Sequence, residues 1–233
     1  SYNHNEITEL YNGLDEYELP ATGLMLKVGH PYGEQYAVRY AGVNPANGDA
    51  LWYNKDGDIT NVYSEEDKVL TGKSYGAPWQ GGFGTTLSWK GLTLDAQFSW
   101  VANRWVMNND RFFDESNGLY SSAYNQSTEL FNRWKEPGDV TTLPRYGVTP
   151  EMDTHLIEDA SFLRLKNVML SYAVPRRLLR PTKVIERIRV FAQAQNLLTF
   201  TKFTGMDPES SVNVYQATYP MSRQFTMGIE VGF

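Results

Sequence analysis

Gly82-Phe83-Gly84-Thr85-Thr86-Leu87-Ser88-Trp89-Lys90-Gly91-Leu92-Thr93-Leu94-Asp95-Ala96-Gln97-Phe98-Ser99-Trp100 is the stretch that decides the fold class. Before Lys90, the residues Phe83, Thr85, Leu87 and Trp89 share one parity, while Gly84, Thr86 and Ser88 share the other. After Gly91, Leu92, Leu94, Ala96, Phe98 and Trp100 alternate with Thr93, Asp95, Gln97 and Ser99. A period of two over each run predicts two strands, each with one apolar face. Lys90-Gly91 between them reads as a two-residue hairpin turn, because glycine supplies the positive φ that such turns need.

Working outward, the C-terminal run repeats the pattern. Phe225, Met227, Ile229, Val231 and Phe233 alternate with Gln224, Thr226, Gly228, Glu230 and Gly232. Less regular strands are expected at Ala21 to Gly29, Glu34 to Gly42, Ser161 to Val174 and Arg187 to Phe200, about seven in all. Within Ser161 to Val174 the apolar parity changes between Leu165 and Val168, which predicts a β-bulge near Lys166-Asn167 or a strand end outside the apolar layer. Phe191 stands alone on the polar phase of its strand. Helical spacing is best at Ser127 to Lys135, before Pro137-Gly138. The connections alternate in length: Lys90-Gly91 and Pro175 to Glu186 are short, whereas Val43 to Gly81, Asn103 to Ala160 and Thr201 to Met221 are long. Short turns at one end and long loops at the other describe a bacterial transmembrane barrel.

Composition narrows the alternatives. The chain has 233 residues, 14% aromatic, which is too rich in large apolar rings for a disordered chain although its mean hydropathy is negative. No stretch approaches the ~20 apolar residues of a membrane-spanning helix, but barrel strands alternate and escape that test. A net charge of −6 without a basic stripe gives no support to nucleic-acid binding. The absence of cysteine removes disulfides, thiolate chemistry and cysteine-based zinc sites. A start at Ser1-Tyr2, without a leader segment, fits either a mature form or a piece of a longer protein.

Asn54-Lys55-Asp56-Gly57-Asp58 has calcium-type ligands, but aligning Gly57 with the glycine of a calcium loop puts Trp52 first and Tyr63 last, so an Asp-Gly turn is expected. Gly81-Gly82-Phe83-Gly84 opens a strand and not a helix, so it is not a phosphate loop. His4, His30 and His155 lack ligand-spaced companions, and His155 is expected to be a solvated loop residue. No nucleophile, base and acid stand in a recognisable arrangement, so no metal site and no catalytic role are assigned. Asp207-Pro208-Glu209 has the residue types of a glycosidase pair, but spacing cannot set two carboxylates across a bond. Trp52, Tyr53, Tyr120, Tyr124, Trp134 and Tyr146 lie in long loops. They either stack against a sugar or peptide or only pack the loops together. Trp89, Trp100 and Trp105 near strand ends are expected at the boundary between lipid and water.

Five ordered blocks then carry a resemblance. They are Tyr40-Ala41-Gly42-Val43-Asn44-Pro45 with Asn47-Gly48 and Asp56-Gly57-Asp58; Arg133-Trp134 with Pro137-Gly138-Asp139 and Pro144-Arg145; Ile157-Glu158-Asp159-Ala160-Ser161-Phe162-Leu163-Arg164-Leu165-Lys166-Asn167-Val168 with Leu170-Ser171-Tyr172 and Pro175; Ala194-Gln195-Asn196-Leu197 with Gly205 and Asp207-Pro208-Glu209; and Tyr219-Pro220 with Arg223 and Phe233. Together they resemble the late-barrel part of SusC/RagA-type TonB-linked outer-membrane transporters, and they reach from Gly29 to Phe233.

The resemblance implies an all-β, antiparallel transmembrane β-barrel of about 22 strands, of which this chain is the C-terminal segment. The expected division is a loop at residues 1–20 and strands with long loops over 21–233, without the plug domain. The implied function is import of oligosaccharides or peptides, driven by TonB through the plug, beneath a SusD-like surface lipoprotein, with no cofactor and no enzymatic role. The location implied is the outer membrane of a Gram-negative bacterium, C-terminus on the periplasmic side. Phe83, Leu87, Leu92, Leu94, Phe98, Phe225, Met227, Ile229 and Val231 are expected to face lipid, with the opposite parity facing the lumen. Asn103 to Ala160 is expected outside, meeting the lipoprotein and shaping the solute chamber. Phe233 is expected to present the final strand to the barrel-assembly machinery. The rival from another class is a soluble carbohydrate-binding β-sandwich, in which the same apolar faces would meet across a dry core.

Overall fold

The computed structural model describes residues 1–19, 22–210 and 212–233. Six strands come first: β1 (Glu16–Leu19), β2 (Leu24–Lys27), β3 (Glu34–Val43), β4 (Ala50–Tyr53), β5 (Ile59–Thr60) and β6 (Lys68–Ser74). They form one sheet in the order β1-β2-β3-β4-β5, with β6 also on β3. Then come β7 (Trp79–Trp89), β8 (Leu92–Ala102), β9 (Trp105–Asn108), α1 (Asn109–Asp114), β10 (Ile157–Asp159), β11 (Phe162–Ala173), α2 (Arg176–Leu179), β12 (Arg187–Thr201), β13 (Val214–Tyr215) and β14 (Gln224–Gly232). Five strands make a large antiparallel sheet, β14-β12-β11-β8-β7, and β10-β9-β13 make a small third one.

Parity alone explains the large sheet. Leu87, Leu94, Leu170, Ala192 and Met227 are register partners across its five strands and form one row of the apolar face. The next row, on the other face, is Thr86, Asp95, Met169, Gln193 and Thr226, and Thr86 donates to Asp95 at 2.7 Å. Directly opposed side chains are the unit of sheet stabilisation. The polar face is accordingly stitched by hydrogen bonds, Gln193 to Asn167 at 2.6 Å and Arg189 to Ser171 at 3.2 Å among them. The hairpin turn forms as read, with Lys90 at φ 47° and Gly91 at φ 88°. The bulge also lies where the parity change put it, between Leu165 and Asn167.

Phe191 has a local reason to sit on the polar face. Its register partner is Gly228, and a Cβ there would lie 2.6 Å from the Phe191 ring. The missing side chain makes room for the aromatic.

Two expectations need correction. Of the seven segments read as strands, the first two belong to the other sheet. The segment from Ala21 to Gly29 begins outside the described residues and continues as β2, and Glu34 to Gly42 is β3. The helical segment at Ser127 to Lys135 is one 3-10 turn, Thr128–Asn132, capped by the Ser127 side chain accepting from the Glu129 amide.

The buried core sits in the loops and not beneath the large sheet. Val38, Ala50 and Trp52 form one cluster, Ala37, Met107, Leu156 and Ile157 a second, and Val106, Ala160, Phe203 and Tyr215 a third. The apolar face of the large sheet stays exposed instead, with Phe225 70% and Met227 84% accessible. Two sheets of a sandwich would cover such a face, and among the described residues no second layer does so. Residues 4–78, 103–161 and 202–223 all leave and return at one end of this sheet, for Tyr2 bridges Trp79 and Phe162 pairs with both Val101 and Thr201. The opposite end holds the Lys90-Gly91 turn, the 174–186 connection and the end of β14, where Gly232 pairs with Arg187.

Candidate functional site

The site is the loop assembly gathered at the long-loop end, and an ion cluster fixes it to the sheet. Arg164 projects from the polar face of β11 beside the bulge. Its guanidinium donates to Asp207 Oδ1 and to Glu209 Oε2, each at 2.6 Å, and to Thr199 Oγ1 at 2.9 Å. Lys166, the bulge residue, donates to both Glu209 oxygens at 2.6 and 2.7 Å. Arg104 adds a hydrogen bond to the Pro208 carbonyl at 3.1 Å. Burial alone pushes the Asp207 carboxyl up, but the bonds from Arg164 and from the amides of Met221 and Glu209 outweigh it and hold its pKa below the ordinary value. Asp207-Pro208-Glu209 is therefore a loop anchor laid across the end of the polar face. Its carboxylates are occupied by cations and amides, which leaves no acid pair for glycoside chemistry.

A second anchor joins the outer loops. The Trp134 indole donates to the Pro45 carbonyl at 3.1 Å, and its ring covers Gly48, where a Cβ would lie 2.4 Å away. Gly48 at φ 76° suits glycine for its backbone as well as for this contact. Arg145 pairs with Asp49 at 3.0 Å. The sequence blocks that carry the resemblance thus meet in pairs: Arg164 and Lys166 with Asp207-Pro208-Glu209, and Trp134 and Arg145 with Pro45 and Gly48.

Between the anchors lies an open cleft of about 580 Å³ lined by Asn108, Asp110, Arg111, Asp114, Glu158 and Thr204, among others. Arg111 is committed within its wall, to Glu115 at 2.9 Å and Glu158 at 3.0 Å. Burial raises the Asp114 pKa, and nearby Asp110 adds to it. Behind the wall, the Trp52 indole donates to Asp153 at 2.6 Å. Burial pushes the Asp153 carboxyl up to about 6, although the bonds from Trp52 and the His155 amide oppose it. Burial and the Arg111 charge push His155 down to about 4. Among the described residues no group of three or more His, Cys, Asp or Glu is placed to hold a metal ion. Asn54 to Asp58 is a plain turn, with Gly57 at φ 88° and the Asp58 amide bonded to the Asn54 side chain.

The structure does not bring the six loop aromatics together. Trp52 is core, 5% exposed, and unavailable to a solute. Trp134 is spent on the Pro45–Gly48 turn, and Tyr53 packs under Arg39. Tyr120 and Tyr124 cluster with Phe113, while Tyr146 covers Gly118 and stays 64% exposed. Trp105 also departs from expectation. It lies in β9, under the Lys73 ammonium at 4.3 Å, and not on the large sheet. Trp89 and Trp100 do lie on the apolar face, at opposite ends, and Trp79 joins Trp100. His155 is not solvated but packed on Tyr40 with Nε2 2.9 Å from Arg111. Phe83, Leu87, Leu92, Leu94, Phe98, Phe225, Met227, Ile229 and Val231 share the apolar face, and Phe233 follows β14, exposed. Sequence reading missed the Arg164 and Arg111 clusters, in which Glu209 and Glu158 come from 45 and 47 residues away; the resemblance blocks contain Arg164 and its acidic partners but not Arg111.

No family model matches the chain. A TonB-dependent receptor of Formosa agariphila is 26% identical over 265 residues, covering the whole chain and 26% of that protein. TonB-dependent receptor SusC of Bacteroides thetaiotaomicron is 26% identical over 255 residues, covering the whole chain and 24% of that protein. The RagAB peptide importer in its open-open state matches the whole chain with a TM-score of 0.91 and 42% identity, over 26% of the matched chain. Receptors and transporters of this kind are outer-membrane proteins and not enzymes. The chain spans about a quarter of the length of these relatives. It is a homologue, over its whole length, of TonB-dependent receptors of the SusC/RagA type.

Proposed function

We propose that the chain is the C-terminal part of the barrel of an outer-membrane importer, and that it helps form both the wall and the outer chamber of the solute path. The two-faced, five-stranded sheet with every long loop at one end is the observation that carries this reading. An apolar face without a covering layer suits lipid, and the hydrogen-bonded polar face suits a hydrated lumen. Trp79 and Trp89 are ten residues apart on one strand, which at ~3.3 Å per residue and a tilt of ~40° gives an apolar band about 25 Å tall. The long loops then face outward and the C-terminus the periplasm. Five strands leave open edges that lipid does not tolerate, so the rest of the barrel completes the wall, and TonB acts through a plug outside this chain.

The solute class favoured is peptide. The chain is 42% identical to the RagAB peptide importer and 26% identical to SusC. The cleft at Asn108, Asp110 and Thr204, with accessible Tyr124 and Tyr146 on the outer loops, supplies polar and flat surfaces for such a solute. A SusD-like surface lipoprotein closes the chamber from above, resting on the 103–160 loop, where Phe131 and Val140 are exposed. The test is uptake by cells with and without the intact protein. Deletion should abolish uptake of labelled oligopeptides and leave that of labelled oligosaccharides unchanged; the opposite pattern assigns the glycan class.

A further inference from the structure

Positive charge is gathered at the short-turn end. Lys90 sits in the hairpin turn, and Arg176, Arg177, Arg180, Lys183 and Arg187 fall within the connection from β11 to β12 and the first residue of β12. Glu186 is the one carboxylate between residues 174 and 187, in a chain whose net charge is −6. All six cations are exposed, and among the described residues none of them is in an ion pair. Leu178 and Val184 lie among them, 62% and 63% exposed. A connection that only faced water would gain nothing from presenting these two side chains.

The depth of this cluster follows from the sheet register. Trp89 and Tyr172 both pair with Leu92, so two amphipathic rings end the apolar face in one row. Such rings settle where lipid meets water. Lys90 and residue 174 onward are the next positions outward, with the Lys90 ammonium 4.8 Å from the Trp89 ring. Residues just outside an aromatic row lie at the level of lipid phosphates.

We propose that this basic connection is a binding surface for anionic phospholipid headgroups in the leaflet beside the short-turn end. The guanidinium groups pair with phosphate oxygens in the forked geometry that suits them, while Leu178 and Val184 continue the apolar face into the headgroup layer. The inference rests on the membrane reading given above. Its effect is to pin the depth of the sheet at the short-turn end.

The test uses the intact protein in nanodiscs of phosphatidylethanolamine with about one-fifth phosphatidylglycerol, native mass spectrometry counting the lipids retained on release. The wild type should retain phosphatidylglycerol in preference, and the R176Q/R177Q/R180Q/K183Q variant should lose at least about tenfold of that preference, because each cation near an anionic surface is worth about fivefold in affinity. Raising salt to 0.5 M should erode the wild-type preference in the same direction. Insertion of both proteins with equal retention of the two lipids overturns the headgroup site alone. Failure of the wild type to insert at all overturns the membrane reading, and the site with it.

Discussion

Replacing Arg164 by Met tests the anchor between sheet and loop. The Arg164 side chain is 3% exposed, and Asp207, its partner at 2.6 Å, is 5% exposed. Removing one partner of a buried pair leaves the other charge uncompensated, which costs about 3–5 kcal/mol. Lys166 still reaches Glu209, so the deficit falls on Asp207 and the lower figure is the better expectation. At about 1.36 kcal/mol per decade, local opening of residues 203–221 should become roughly a hundredfold more frequent. Hydrogen exchange reads this directly, since the amides of Glu209 and Met221 donate to the two oxygens of the Asp207 carboxylate. Both amides should lose protection by about two powers of ten, while the Leu94 amide in the sheet keeps its own. Adding D207N to R164M should restore most of the loss. Unchanged protection at Glu209 and Met221 in R164M would refute the anchor.

Leu94→Arg, in the middle row of the apolar face, should destabilise the intact barrel by about 2–4 kcal/mol, and Asp95→Asn should be mild; equal losses in a folding titration would contradict the assigned faces. Gly228→Ala should cost about 1–3 kcal/mol by overpacking against Phe191, and adding F191A should relieve it, as heat-modifiability on gels would show. Asp153, raised to about 6, holds more protons folded than unfolded, so its penalty is absent below pH ~4, grows as pH rises and is complete above pH 6. D153N should therefore gain stability relative to wild type, by on the order of 3 kcal/mol, when loop protection at pH 7.5 is compared with pH 4; a gain in the other direction would contradict the burial. Protease added to intact cells should cut within residues 103–160 before it cuts near Lys90-Gly91, and the reverse order would invert the barrel.

The large sheet was legible because its signal is local. Leu92 to Trp100 alternates without error, and the Lys166 bulge announces itself as a change of phase. The assignment of β2 and β3 to the same sheet failed for a physical reason. Leu24 and Met25 are both buried, as are Glu34 and Gln35, because neighbouring loops cover these strands on both faces, and a strand without one wet face carries no parity to read. Trp52 and Tyr146 look alike as loop aromatics, yet one is core and the other exposed. What separates them is Asp153, 101 residues from Trp52 in sequence. The Arg164 cluster was hidden in the same way, for its charges come from segments about 43 residues apart.

The most direct test of the account is the environment of alternating residues along β8. Because the chain has no cysteine, single cysteines can be placed one at a time from Leu92 to Trp100 in the intact protein, provided it is made cysteine-free, and spin-labelled in liposomes. Leu92, Leu94, Ala96, Phe98 and Trp100 should relax with lipid-soluble oxygen, and Thr93, Asp95, Gln97 and Ser99 with a water-soluble nickel chelate, in strict alternation. Nickel accessibility at both parities, or none of it alternating, would contradict a sheet that stands between lipid and lumen.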